Sequence, residues 1–179
     1  MDMENATPQV ENTSETAQAI SLRQEIYRKD VEKMADWVED DEVTAYLNEE
    51  QNIDETLHRA LQESSLPIFS HRFNRNGSFF MITLGRWGPI GFLRLVPQDP
   101  GAEIVVVIGE RSQWGNGFGY AAIIKGVKRA FYEWREDRVI AKIQHGNDRS
   151  KHVFRKVGFI PVDRTSNEEK FVLTREDFR

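Results

Sequence analysis

Residues 113–122 (QWGNGFGYAA) place three glycines, Gly115, Gly117 and Gly119, at alternate positions. They stand between the apolar run Ile104–Ile108 and a helical pattern through Ile124, Val127, Phe131 and Trp134. A strand that stops at such a turn and restarts as a helix leaves several backbone N–H groups unpaired and converging on one spot. That arrangement holds phosphate. One glycine suffices to turn a chain, and each further one costs about 0.5–1 kcal/mol of backbone entropy, so three point to a ligand. The spacing is G-x-G-x-G, and Gly109–Trp114 separates it from the preceding strand, so it is no dinucleotide fingerprint. No Lys-Ser or Lys-Thr pair follows the glycines, which excludes the nucleoside-triphosphate loop.

A second block, residues 147–159 (NDRSKHVFRKVGF), follows the short apolar run Val139–Ile143. Asn147 suits a helix N-cap and Gly158 a C′ position, with Val153, Phe154 and Val157 on one apolar face. The elements needed to position both blocks are legible upstream. Ile20–Tyr27 reads as a first strand. Asp30 caps a helix carrying Val31, Met34, Ala35 and Val38, and 54–63 forms another with Leu57, Ala60 and Leu61 inward. Asn76-Gly77 reads as a hairpin-type turn. Residues 78–84 and 90–96 are antiparallel strands around 85–89, and 103–108 is the fourth strand. Residues 159–164 and 170–173 close the chain as strands. This order is α/β: one domain over 20–179, a mixed, mostly antiparallel sheet of about seven strands with helices on both faces. Residues 1–19 hold almost nothing to bury and are expected to be a disordered tail.

With 39% hydrophobic and 30% charged residues, the 179-residue chain has the composition of an ordinary globular domain with a self-sufficient core. No apolar run approaches a membrane span, and the first residues lack a signal pattern. The absence of cysteine excludes disulfides, cysteine–zinc sites and an acyl-cysteine intermediate, and fits a cytoplasmic home. Neither motif supplies a metal site. The net charge of −5 argues against nucleic acid as a partner. It is unevenly spread: residues 1–63 hold seventeen acids against five bases, whereas 120–160 hold ten bases against four acids. The basic segment, with Lys125, Lys128, Arg129, Arg149, Lys151 and Arg155, brackets the phosphate loop. The acidic part would attract a cationic amine.

Together, the strand, W-G-N-G-F-G loop, helix, strand, N-x-x-S, short helix and G-F resemble the Gcn5-related N-acetyltransferase family. The likeness is nearest the branch of ribosomal-protein N-terminal, polyamine and aminoglycoside 6′-acetyltransferases, detailed over 103–160 and looser back to Ile20. It implies a splay between the fourth and fifth strands that takes the pantetheine arm of acetyl-CoA, and acetyl transfer to a primary amine by direct attack in a ternary complex. The acceptor stays open among a protein N-terminus, a polyamine, an aminoglycoside or another small amine. Homodimers are common among relatives, and the chain leaves that open.

The resemblance assigns the pyrophosphate cradle to Trp114, Gly115, Asn116, Gly117, Phe118, Gly119 and Tyr120. It assigns a backbone donor for the acyl carbonyl to Val107, Ile108 or Gly109, and a pantetheine contact to Asn147. An amine of pKa near 10 is only about one part in a thousand neutral at pH 7, so a base matters. Glu103 is the candidate, with His145 behind it. Many relatives have a tyrosine as general acid where this chain has Phe154; Ser150 is the candidate to hydrogen-bond the departing sulfur. Trp114 stands where other branches of the family prefer Gln or Arg, and Asn116 where relatives often have Lys, which predicts coenzyme affinity only weakly dependent on salt. Two other readings fit the motifs: a non-catalytic acyl-CoA-binding sensor or scaffold, and a loop for a free nucleotide.

Overall fold

The computed structural model describes residues 10–47 and 53–179. Seven strands form one sheet: β1 (Ile20–Arg23), β2 (Ser78–Leu84), β3 (Gly88–Pro97), β4 (Ala102–Ile108), β5 (Arg138–Gln144), β6 (Ile160–Arg164) and β7 (Glu168–Thr174). Their order is β1-β2-β3-β4-β5-β7-β6, and every neighbouring pair is antiparallel except β4–β5. The helices are α1 (Val10–Ala19), α2 (Arg28–Val38), α3 (Asp41–Thr44), α4 (Ile53–Glu63), α5 (Ser70–Phe73), α6 (Phe118–Lys128) and α7 (Asp148–Val157). No helix among the described residues is long and apolar enough to cross a membrane.

Alternation along the strands divides the core into two layers. Leu93, Ile104 and Ala141 face Ala122, Ile123 and Val127 of α6 and Phe154 of α7. On the other face Phe79, Met81, Phe92 and Val107 meet Val31, Met34 and Trp37 of α2 and Leu57 and Ala60 of α4. The Phe79 and Phe92 rings stack at 5.3 Å between centroids across β2 and β3. Helices on both sides of a mixed sheet are the architecture expected from the element order.

Several local expectations change. Residues 1–9 of the expected tail lie outside the described residues, but Val10–Ala19 is helical, and Ala17 packs against the α6 layer. Composition registers poor burial potential and not this contact between small side chains. The first strand ends at Arg23, well before Tyr27, because the chain turns to bury Asp30. That carboxylate takes a two-pronged bond from Arg23 at 2.8 and 2.9 Å and accepts the Tyr27 N–H at 2.8 Å. Asp30 thus reaches back to the start of α2 from its third position and is not its N-cap. Asn76-Gly77 connects α5 to β2 and joins no hairpin, since β2 pairs with β1 and β3. The helix expected to run to Trp134 ends as α6 at Lys128 and continues as a π-helical turn, Arg129–Glu133.

Only the bases of β4 and β5 are joined, through Ala102↔Val139 and Glu103↔Ile140. Beyond them the two strands pair only with their outer neighbours, β3 and β7. A gap therefore opens toward the carboxyl ends of both strands.

Candidate active site

Antiparallel strands point their backbone groups alternately toward and away from a partner. The Gly109 N–H donates to the Ile90 carbonyl at 2.9 Å, and the Glu110 N–H shares that acceptor at 3.0 Å. By alternation Val107 also faces β3, while the N–H and C=O of Val106 and Ile108 turn into the gap. Val105, Val106 and Ile108 are only half-buried despite lying in a central strand, because nothing from β5 covers them.

Past β4 a 3-10 turn, Arg111–Gln113, leads to the glycine loop. Gly115 and Gly117 both have φ of +79°, a conformation that strains residues with a Cβ. Gly117 is the N-cap of α6, so the first-turn N–H groups of that helix open toward the gap. Gly119 is different. Its φ is ordinary, and a Cβ there would come no nearer than 3.9 Å to Ile108 Cγ1. Neither backbone nor packing demands glycine at 119; the missing side chain leaves the cavity wall bare for a close-lying ligand.

The cavity in this gap measures about 330 Å³. Val107, Ile108, Trp114, Gly115, Gly117 and Phe118 line it, as do Gly119, Tyr120, Asn147 and Ser150. Three expected site residues do not. Gly109 is backed by the Trp37 ring, which a Cβ would meet at 2.1 Å, and its N–H is held by Ile90. Asn116 turns its amide to the Gln113 carbonyl at 3.3 Å and ties the loop to itself. Glu103 sits at the closed base of the gap, 7% exposed, accepting from Gln98 Nε2 at 3.0 Å and paired with Lys142 Nζ at 3.2 Å. His145 is also away from the cavity wall. Its Nε2 bonds the Thr165 carbonyl at 2.8 Å, and its buried Nδ1 has no hydrogen-bond partner among the described residues.

Asn147 caps α7: its Oδ1 accepts the Ser150 N–H at 3.2 Å, which leaves the amide Nδ2 as a donor on the cavity wall. Phe154 is only 5% exposed, edge-on to Phe159 at 5.0 Å, so its ring is shared between core and cavity.

Two features go beyond what the sequence reading could place. Arg149 and Lys156, both from α7, line the cavity facing the loop. The Arg149 guanidinium lies 3.8 Å from the Trp114 ring centroid and Lys156 Nζ 5.1 Å from that of Tyr120. Trp114 in turn donates its Nε1–H to the Ile108 carbonyl at 2.7 Å. Side-chain cations that the loop lacks therefore come from the neighbouring helix; the basic count over 120–160 was the available signal. Both cations bear on the expected weak salt dependence, because charge on a cavity wall is screened by salt.

The second feature is the segment around α3, which spans the mouth of the gap. One end is tied to the loop after β4 by Trp37 Nε1–H to Glu110 at 2.9 Å, Lys33 to Glu110 at 3.3 Å and Arg111 to Asp40 at 3.5 Å. The other is tied to β5 through Gln144 Nε2 and the Leu47 carbonyl at 3.2 Å. Glu42, Val43, Tyr46 and Leu47 complete the cavity wall. Nothing in the periodicity of a four-residue helix announces such a bridge.

The family model described as an acetyltransferase (GNAT) domain matches residues 21–160. Among solved structures, a spermidine N-acetyltransferase from Vibrio cholerae in complex with CoA and spermine superposes with a TM-score of 0.72 at 15% identity, covering 89% of this chain and 98% of that one. A GNAT-family acetyltransferase from Bacillus anthracis gives 0.68 at 17% identity, over 88% and 96% of the two chains. A dodecameric form of the Vibrio cholerae spermidine enzyme gives 0.66 at 14% identity, over 89% and 95%. No curated protein sequence matches the chain.

Proposed function

The chain belongs to the acetyltransferase (GNAT) family, and we propose that it moves an acetyl group from acetyl-CoA to a primary amine. The observation that carries this reading is the gap itself: an edge of β4 with no strand against it, ending at a glycine-floored helix N-terminus. Such an edge pairs with the amides of a pantetheine arm as it would with a strand. The N–H groups from Gly115 to Tyr120 suit a pyrophosphate, with Arg149 and Lys156 adding charge.

Bound acetyl-CoA supplies the activated thioester. The chain's own groups then divide the remaining work. The Ile108 N–H, facing the gap, is the donor for the acyl oxygen, in the manner of an oxyanion hole. Asn147 Nδ2 orients the pantetheine arm, and the Ser150 hydroxyl, one turn along α7, bonds the sulfur as it leaves. A thiol of pKa near 8.5 departs partly as thiolate, so this modest donor suffices.

For the acceptor, Glu42 is the carboxylate on the cavity wall, at a mouth where Asp40, Asp41 and Glu42 are consecutive. We assign to it the attraction of an ammonium group and the acceptance of its proton, a role Glu103 could fill only through intervening water. An acidic mouth favours a polycationic amine over a peptide N-terminus. The Vibrio cholerae neighbour, a spermidine N-acetyltransferase in complex with CoA and spermine, points the same way.

The competing reading, a non-catalytic acyl-CoA sensor, draws on Phe154, which has no proton to give where many relatives carry tyrosine. Free-thiol release from acetyl-CoA with spermidine, kanamycin and peptides beginning with Ala or Ser separates the two. Release with spermidine above the other amines is the expected outcome. Tight coenzyme binding with no release above background from any amine would establish the sensor instead.

A further inference from the structure

A second, larger cavity of about 740 Å³ lies away from the glycine loop, between α4, the 72–77 turn and the inner face of β2 and β3. Its volume is in the range of small-molecule sites, roughly 300–1,000 Å³. Four arginines line it, Arg59, Arg72, Arg75 and Arg94, against two acids, Glu55 and Glu63.

Arg94 is the informative member. It belongs to a central strand, opposite Phe79 on β2 and Val105 on β4, on the face where Phe79 and Phe92 build the core. An apolar residue is the ordinary occupant of such a position. Arg94 is half-buried, desolvation pushes its pKa down, and the charge of Glu103 partly offsets this. Glu103 already has Lys142 and Gln98 in contact, so it does not require Arg94 as a partner. Among the described residues Arg94 donates no hydrogen bond and makes no ion pair. Half-buried and lining the cavity, the fork is open to an acceptor there, and guanidinium geometry matches a two-oxygen anion.

The rim supplies more of the same charge. Arg75 is exposed and makes no ion pair among the described residues. Among the described residues Arg72 is held by Glu63 alone, at 2.8 Å, with that carboxylate 56% exposed. Arg59 bonds Glu55, one helical turn away on α4. Surface pairs of this kind are worth about 0–1 kcal/mol and yield readily to a better acceptor. Setting the two glutamates against the four arginines leaves an excess suited to a dianion.

We propose that this cavity binds a small molecule bearing a dianionic oxyanion, gripped at depth by Arg94 and at the rim by Arg75. A phosphate monoester and a dicarboxylate share that chemistry. Isothermal titration calorimetry of the full chain with inorganic phosphate and with succinate, at low ionic strength in a buffer free of other oxyanions, distinguishes them. One of the two should bind. Arg94→Gln should weaken that binding about tenfold or more, as loss of a charge-assisted hydrogen bond does. Arg94→Lys, which keeps the charge and loses the fork, should fall between. Arg75→Gln, a rim change with no burden on folding, should weaken it about threefold and keeps the test decisive if Arg94→Gln unfolds, which circular dichroism reports. No heat from either anion, or binding that both glutamine variants leave unchanged, overturns the proposal. The measurement needs no turnover, so its failure is distinct from failure of the acetyltransferase reading.

Discussion

The two ends of β4 carry similar aliphatic residues and meet opposite fates. At its base, Ala102 and Glu103 are paired on both sides, and the one charged residue is satisfied inside the protein by Lys142 and Gln98. At its open end, Val106 and Ile108 keep one edge without a strand, next to glycines where a Cβ would meet nothing nearer than 3.7 Å. The difference teaches that the base is a hinge-like weld whose bonds are internal, whereas the open end is arranged for bonds to something else. A charged residue in a conspicuous place, Glu103, belongs to the first kind.

The most severe way to test the contrast is to fill the open end. Gly119→Val should leave the melting temperature nearly unchanged, since a Cβ there has room. It should weaken CoA binding about ten- to hundredfold, the size of a 1–3 kcal/mol overpacking clash, in calorimetry. Unchanged affinity would mean that the bare wall at 119 is not where the coenzyme lies.

The base should respond in the opposite sense. Glu103→Gln leaves Lys142 without its carboxylate and should lower stability by about 1–3 kcal/mol in urea, discounted from the value for a fully buried pair because Lys142 is partly exposed. Turnover should fall less than tenfold, with an unshifted pH profile. A loss of about 10²–10⁴ in turnover at intact stability would restore Glu103 as the base.

A smaller effect sharpens the picture of the open end. Arg149→Gln removes a cation from the wall and its stacking on Trp114. CoA affinity should drop about threefold to tenfold at low salt, and the dependence of affinity on salt should flatten relative to the parent. Parallel salt dependences would assign the phosphates to backbone donors alone.

The smallest expected effect concerns α7, which carries Asn147, Ser150 and Arg149. Lys151 ties it to β7 through Glu169 at 2.7 Å, and that hydrogen bond holds the Glu169 carboxyl below the usual range. A depressed carboxyl pKa stabilises the fold above its unfolded value, and the gain disappears as pH falls through the native one. Thermal melts between pH 7 and pH 3 should therefore show a shallower acid decline for Glu169→Gln than for the parent. Superimposable profiles would remove the pair from the account of how α7 is held.

The glycine loop and the Asn147 cap were legible because both depend on local backbone geometry: positive φ at Gly115 and Gly117, and a side chain reaching three residues along its own helix. The succession of strands along the chain was legible from apolar runs and turns, which report local burial. Arg149 and Lys156 were visible as a basic count, and their placement over Trp114 and Tyr120 was not. That placement needs the relative pose of α6 and α7. Glu103 looked like a base because its position at the start of the fourth strand matches an acid of many relatives and says nothing of Lys142 on a neighbouring strand. The α3 bridge and the order in Val10–Ala19 were missed because each is held by distant contacts.

What the amino-acid order alone determined, then, is the set of pieces with short-range causes: an α/β alternation, a phosphate-type turn and a capped helix. Tertiary structure decided which edge of β4 stays unpaired, which charges are used up internally and which face a cavity. Those outcomes depend on side chains tens of residues apart, as in the contact of Arg149 with Trp114 or of Glu103 with Lys142. Their energies arise from burial and Coulomb interaction across the fold, terms that no local sequence window contains.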